Sequence, residues 1–527
     1  MATLYEQILK YQDKKTPAIY FENKTIDYVL LHKNIRKMIT YLKNKGIKED
    51  DVVTIVLPNV PVTIYLLYAL NAIGAKQNII HPLTPFDGII KAMEDTSSKN
   101  LIILETIYQE RMIEFDEANY NIFFVNPMYD KNIFMRHAFY LKFKGIKEND
   151  HMFKIDNFHK EKEYVGEINH DDLKDSIYLH SGGTTGNPKI IALSDASFNN
   201  LSSKIDGIVP SSLEGKSMLA VLPHFHGFGL GMGIHSPLFE GATTAIMMKF
   251  DGDKIIKWIN QGKINFIIGI PLLYTKLFEN KKFMKCKMEN LEYLFIGGDN
   301  CSRDLITKTN AFFKKKGIDC ALLEGYGLTE TVTVCNVNTK ENQKVGSVGK
   351  PLQGIKVQIR DENLNLLKPN EVGEVFVSGN TLMNGYYHNP KATQETKMVI
   401  DEEEWIRTGD LGYLDEEGFL FIKGRKKRLI KIAGINVYPS EVENLVSNMD
   451  GVRHAALIYF KDENKLKLFV TIEEDKIKDK ELLKKEIETQ VKNNFTKYAW
   501  PKEIEIVKHF PRTKMGKIDY KGFEKLN

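Results

Sequence analysis

Across 527 residues, Lys and Arg total 73 against 69 Asp and Glu, a net charge of +4. Spread over that length, so small an excess excludes the basic face by which a chain binds nucleic acid, and 43% hydrophobic residues is too much for a disordered chain. The length asks for more than one core. In chain order, residues 1–16 are polar and charged, so no secretory signal is expected. Residues 52–75 carry no charge and are long enough to cross a bilayer. Pro58, Asn59 and Pro61 interrupt them, however, so 52–57 is expected as a buried strand, 62–73 as a helix, and no transmembrane segment is predicted.

Short apolar runs at 100–104, 177–180, 217–222, 242–247, 266–270 and 293–296 alternate with amphipathic helical stretches, the pattern of an α/β protein whose helices cover its sheets. Near residue 350 the texture changes: 355–360, 373–378 and 419–423 read as strands divided by turns such as Lys368-Pro369-Asn370, a β-rich portion. The basic stretch 423–428 with Gly424 reads as a hinge. Beyond it, helices at 440–447 and 479–493 and strands at 455–459 and 467–472 make a small α+β domain. Cys286, Cys301, Cys320 and Cys335 have neither CxxC nor zinc-ligand spacing, so they are expected as thiols in a reducing, cytoplasmic setting.

The segment Ser181-Gly182-Gly183-Thr184-Thr185-Gly186-Asn187-Pro188-Lys189 follows a strand-like run. Its glycines let the backbone close on an anion, its hydroxyls and amides can form a nest, and Lys189 adds a cation. No Lys follows the last glycine directly, so it is not a Walker A loop, and a P-loop kinase is disfavoured.

Further motifs follow in order: Pro223-His-Phe-His-Gly-Phe228, Gly297-Gly-Asp299, Glu324-Gly-Tyr-Gly-Leu-Thr-Glu330, Arg407-Thr-Gly-Asp410, 424–434 and Pro511-Arg-Thr-Lys-Met-Gly-Lys517. With the glycine-rich loop, this series closely resembles AMP-forming acyl-CoA synthetases, members of the adenylate-forming superfamily that includes firefly luciferase. The resemblance spans nearly the whole chain. It implies a large N-terminal domain over 1–424, of two α/β sheet subdomains and a β-rich subdomain, a hinge at 425–428 and a small mobile α+β domain over 429–527. It also implies ATP-dependent activation of a carboxylic acid as acyl-AMP, then transfer to the thiol of coenzyme A. A carrier-protein pantetheine is the alternative acceptor, which the residues do not separate.

What this chemistry needs is cations and fixed donors around phosphoryl oxygens. By resemblance, Ser181, Gly182, Gly183, Thr184, Thr185, Gly186 and Lys189 hold phosphates, Thr329 reaches the α-phosphate, and Glu330 with Thr185 takes Mg²⁺. Tyr326 stacks on adenine opposite Gly297 and Gly298, Asp410 holds the ribose, and Arg425 adds a ribose or phosphate contact. Lys517 bridges the acid and the α-phosphate; Lys427 is the pivot; Lys431 and Gly434 serve the thioester step. The acid pocket takes Phe225, Gly227, Phe228, Ile270, Gly325 and Val332, with His226 at its gate.

No acidic anchor for an α-ammonium stands near Phe225, so an apolar acid, fatty first and aryl second, is expected. A peripheral membrane contact is compatible with a fatty substrate. Three positions depart from the family pattern: Ile190 after the loop, Asp299, and Arg428 in place of a commonly acidic residue after the hinge. Were Asp299 to face the acid pocket, a partly polar acid would be favoured, because an unpaired buried carboxylate is costly.

Overall fold

The computed structural model describes residues 2–111, 119–128, 146–168, 170–181, 189–299, 301–432, 435–461, 463, 465–477, 479–512 and 518–525. Among them, two large sheets carry the fold. An eight-stranded sheet includes Val52–Val56, Lys76–Ile79, Asn100–Leu104, Asn121–Val125 and Asp175–His180, mutually parallel, with Ile190–Ser194 returning antiparallel to the last. A nine-stranded sheet is built around Ser217–Ala220, Thr243–Ile246, Phe266–Gly269, Tyr293–Ile296 and Ala321–Gly327, again parallel. Most of these strands are apolar and buried along their length, as befits strands covered on both faces; in Lys76–Ile79 the buried Gln77 and Asn78 amides donate hydrogen bonds to backbone carbonyls.

The uncharged stretch resolves as expected: strand Val52–Val56, then helix Pro61–Ile73, every residue of which is buried. Such all-round burial follows from its place in one apolar cluster shared by both large sheets. No helix among the described residues is long and apolar enough to cross a membrane. All four cysteines are free and buried.

A third, five-stranded antiparallel sheet contains Lys356–Arg360, Gly373–Ser378, Glu403–Leu414 and Leu420–Arg425. Its Val375, Val377 and Ile406 join the same large apolar cluster. Two further clusters are built from residues between 430 and 523: one around Val442, Leu468 and Ile487, the other around Phe469, Phe510 and Phe523. Helices Pro439–Ser447 and Lys480–Asn494 and the sheet of Val452–Phe460, Lys465–Ile472 and Glu503–Ile506 form this last unit.

Candidate active site

Parallel register decides which motifs meet. Gly269 pairs with Ile296, and Ile296 with Glu324, so three strands end side by side. Ile270, Gly297-Gly298 and Tyr326 therefore emerge together at the carboxyl edge, where open α/β sheets bind ligands. Gly297 is required by proximity, since a Cβ there would lie 2.9 Å from the Gly325 carbonyl oxygen; Gly298 is required by its φ of +79°. The edge opens onto a cleft of about 1830 Å³ whose walls also come from the third sheet and from residues after 428.

Across the cleft, Asp410 and Arg425 stand directly opposite each other on adjacent antiparallel strands. Arg425 Nε lies 3.0 Å from Asp410 Oδ1, and the Tyr326 hydroxyl donates to Oδ2 at 2.5 Å. Burial pushes the Asp410 carboxyl up, against the lowering effect of Arg425, and burial likewise raises the Tyr326 phenol. The result is a planar ring, a carboxylate acceptor and a guanidinium in one connected row beside two glycines.

After strand Ala321–Gly327 the chain makes one 3₁₀ turn, Thr329–Thr331, then a tight γ-turn at Val332 (φ +64°, ψ −59°) closed by Thr333 N–H donating to the Thr331 carbonyl at 2.8 Å. A β-branched residue in this region is strained, and the packing around it must hold it there. Gly227 supplies part of that packing: a Cβ at 227 would sit 1.8 Å from the Val332 carbonyl oxygen. This turn corrects one expectation. Val332 was placed on the wall of the acid pocket, but it is wholly buried, while Thr333 and Val334 line the cleft.

Thr329 and Glu330 line the cleft with Ser181 and Lys189. The loop's base is defined by Ser181 N–H donating to the Lys189 carbonyl and by the Lys189 N–H donating to Ser181 Oγ, both at 2.9 Å. Gly182, Gly183, Thr184, Thr185, Gly186, Gly434 and Lys517 lie outside the described residues. A residue the motifs did not single out links the rest: Tyr386 donates its hydroxyl to Glu330 Oε1 at 2.7 Å, and Lys189 Nζ sits 4.2 Å from the centre of its ring. Its only signal in sequence is the turn-like Gly385-Tyr386-Tyr387-His388-Asn389-Pro390. Tyr386 bonds only Oε1 of Glu330. No group of three or more His, Cys, Asp or Glu side chains suited to a metal occurs among the described residues. That donor set fits Mg²⁺ held largely by a nucleotide's phosphates and water, with one protein carboxylate.

His226 lines the cleft, and its Nδ1 accepts from the Phe228 N–H at 3.2 Å, which leaves the proton of the neutral ring on Nε2. Asn59, from the proline-rich turn, fixes the start of this segment: its Oδ1 accepts from both the N–H and Nδ1 of His224. Phe228 and Gly325 line the cleft, whereas Phe225 packs on the His81 ring at 4.3 Å and Ile270 packs against the large shared cluster and against a second one around Trp258, Tyr274 and Leu294. Asp299 also borders the cleft, and its charge is felt by His454 and Tyr520 of the terminal unit.

Glu324, one strand residue before Gly325, is a second group the motif reading passed over. Sunk in the cleft wall, its carboxyl is pushed up to about 8 by burial, with Arg303 opposing. The folded value lies above the unfolded one of 4.5, so the group's stabilising contribution is complete below about 4.5 and is lost as pH rises through about 8. Glu324→Gln should therefore melt with the wild type near pH 4.5 and at progressively higher temperature above it, the gap levelling off beyond pH 8. A constant offset at every pH in thermal unfolding would show that Glu324 does not titrate this way.

Around residue 427 the contacts divide. Lys426 Nζ pairs with Glu374 at 2.9 Å, a buried carboxylate of the third sheet that also accepts from Arg407 at 2.7 Å. Arg428 grips Glu443 of helix Pro439–Ser447. Lys427 between them is exposed, as is Lys431 on the hairpin of Ile430–Ile432 and Ile435–Val437, which borders the cleft. Lys423 pairs with Glu441, and Ser302 donates to Asn448 Oδ1 at 2.5 Å, so this arrangement is tied across the cleft.

Residues 6–387 match the family described as AMP-binding enzyme, and residues 441–517 match the AMP-binding enzyme C-terminal domain. The chain is 26% identical over 530 residues to a long-chain-fatty-acid–CoA ligase of Bacillus subtilis, covering 98% of this chain and 92% of that one. It is 27% identical over 469 residues to 4-coumarate–CoA ligase 1 of Petroselinum crispum, covering 87% and 81%. In fold it is similar to the anthranilate CoA ligase AuaEII, solved in complex with anthranoyl-AMP, with a TM-score of 0.86 at 19% identity over 100% of this chain and 97% of that one.

Proposed function

The chain belongs to the AMP-binding enzyme family and is an AMP-forming acid–thiol ligase, and from that premise we propose that it activates an apolar carboxylic acid with ATP and passes the acyl group to coenzyme A. The observation that carries this reading is the row of Tyr326, Asp410 and Arg425 beside Gly297-Gly298, with Thr329, Glu330 and Lys189 in the same cleft. A purine would stack on the Tyr326 ring beside the glycine backbone. Asp410 is an acceptor suited to two ribose hydroxyls, and the phosphates then fall toward Thr329, Lys189 and the 181–189 loop.

In the first step a carboxylate oxygen of the acid attacks the α-phosphorus. The bond to the bridging oxygen of pyrophosphate breaks, giving acyl-AMP. Mg²⁺ held at Glu330 would neutralise phosphate charge; Thr329 and Lys189 donate to phosphoryl oxygens, and Lys517 joins the acid's carboxylate to the α-phosphate. Tyr386 keeps Glu330 turned toward that charge. In the second step the thiolate of coenzyme A attacks the acyl carbon and AMP leaves. This step needs Lys517 removed and the thiol admitted, the reason for a terminal domain over 429–527 that turns about 425–428, at Lys427, and brings Lys431 and Gly434 to the cleft.

The acid would occupy the part of the cleft lined by Phe228, Met232, Ile268, Phe295, Val334 and Val337, none of them charged. That lining supports a monocarboxylic acid with an apolar body over a dicarboxylic one. The rings of Phe228 and Phe295 favour an aryl acid as the second reading. Pyrophosphate exchange over a panel of acids separates these: fatty acids are expected to drive exchange best, aryl monoacids next, and dicarboxylates such as 2-succinylbenzoate least. Exchange driven best by a dicarboxylate or an amino acid would refute the assignment.

A further inference from the structure

Arg428 follows the exposed Lys427 and makes contacts in two directions at once. Its NH1 and NH2 donate to Glu443 Oε2 and Oε1 at 3.1 and 2.5 Å, a bidentate pair with a carboxylate that is 4% exposed. Its guanidinium also lies over Tyr520, with Cζ 3.5 Å from the ring centre, and bonds the Tyr520 hydroxyl. Glu443 is itself fixed, because its Oε1 accepts the Leu457 N–H at 2.8 Å.

Tyr520 lies three residues beyond Lys517, and the chain around it is anchored. Arg512 and Ile518 form an antiparallel bridge, and Asp519 N–H donates to the Pro511 carbonyl at 2.9 Å. Phe510 and Phe523 belong to the apolar cluster against which Tyr520 and Ile518 pack. On the other side of Lys427, Lys426 is held to the third sheet through Glu374. One exposed residue thus separates an anchor on the large part of the molecule from an anchor on the terminal unit.

We infer that Arg428 is a positioning residue, which joins the chain just after the pivot to the described residues that flank Lys517 in sequence, so that a turn at Lys427 moves both together. The inference rests on the proposed role of Lys517 in forming acyl-AMP. A salt bridge that merely stabilised the terminal unit would affect both half-reactions alike. A coupling device acts on the step that uses Lys517, and only while the planar stack is intact.

The test is to measure both half-reactions in the full chain: pyrophosphate exchange, and thioester formation from supplied acyl-AMP. Arg428→Lys keeps a cation beside Glu443 but loses the stacked plane; Tyr520→Leu removes the ring; Tyr520→Phe keeps it. Arg428→Lys and Tyr520→Leu are each expected to slow exchange about tenfold while thioester formation holds within about twofold, since small misplacement of a reacting group is costly. Tyr520→Phe, which keeps the ring but loses the hydroxyl that also bonds Arg428, should be slowed clearly less than Tyr520→Leu, and the double variant should be no slower than either single one. Equal losses in both half-reactions, effects that multiply in the double variant, or a Tyr520→Phe as slow as Tyr520→Leu would each overturn the inference. Lys517→Ala run alongside separates the two levels. If it exchanges normally, the reading beneath is wrong. If it is slow while Arg428→Lys and Tyr520→Leu exchange at full rate, the reading stands and the coupling does not.

Discussion

Lys517→Ala is expected to slow acyl-AMP formation about 10²–10³-fold, the usual cost of losing one preorganised charge at a reacting phosphoryl group. Thioester formation from supplied acyl-AMP should be spared. Ile518 and Tyr520, just after Lys517 in sequence, line the same cleft as Thr329 and Glu330. Ser302 to Asn448 and Lys423 to Glu441 tie the terminal unit over that cleft. The two rates, measured separately by pyrophosphate exchange and by release of the thioester, decide the matter. Equal loss in both would mean that the residue does not act selectively in the first step.

Lys427→Pro should show the converse selectivity. Lys427 sits in the 3₁₀ turn Lys426–Arg428, a conformation whose φ suits proline, so the present arrangement and acyl-AMP formation should survive. With Lys426 anchored to Glu374 and Arg428 to Glu443, a reorientation of the terminal unit has to be absorbed between those anchors, and a ring that fixes φ opposes it. Thioester formation should fall by about 10²-fold, as expected when a positioning motion is blocked. Wild-type turnover by this variant would place the pivot elsewhere.

Much of the fold could be read from residue order because its signals are local. Apolar runs bounded by Gly and Pro became the parallel strands, and the prolines after residue 57 correctly divided an uncharged stretch into strand and helix. Tyr326, Asp410 and Arg425 were each picked out by their own motif, but only strand register shows why Asp410 faces Arg425. What was not legible depends on contacts distant in sequence. Tyr386 reaches Glu330 across 56 positions, and Glu374 holds Lys426 across 52. A turn-like stretch marks Tyr386 only weakly, and nothing local marks Glu374. Val332 was misplaced for a different reason: an apolar residue two positions after Glu330 reads as pocket wall, but a γ-turn braced by Gly227 rotates it into the core. The Arg428 departure was visible in sequence as excess basicity near the hinge. Its partners, Glu443 and Tyr520, were not.

The row of Tyr326, Asp410 and Arg425 is expected to hold the adenosine of an acyl-adenylate. A crystal structure of the chain with an acyl-sulfamoyl adenosine, which mimics acyl-AMP without a reactive anhydride, tests it most directly. The account predicts the purine against the Tyr326 ring and both ribose hydroxyls within hydrogen-bonding distance of the Asp410 carboxylate. An analogue bound elsewhere, or in this cleft with its ribose turned away from Asp410, would contradict it.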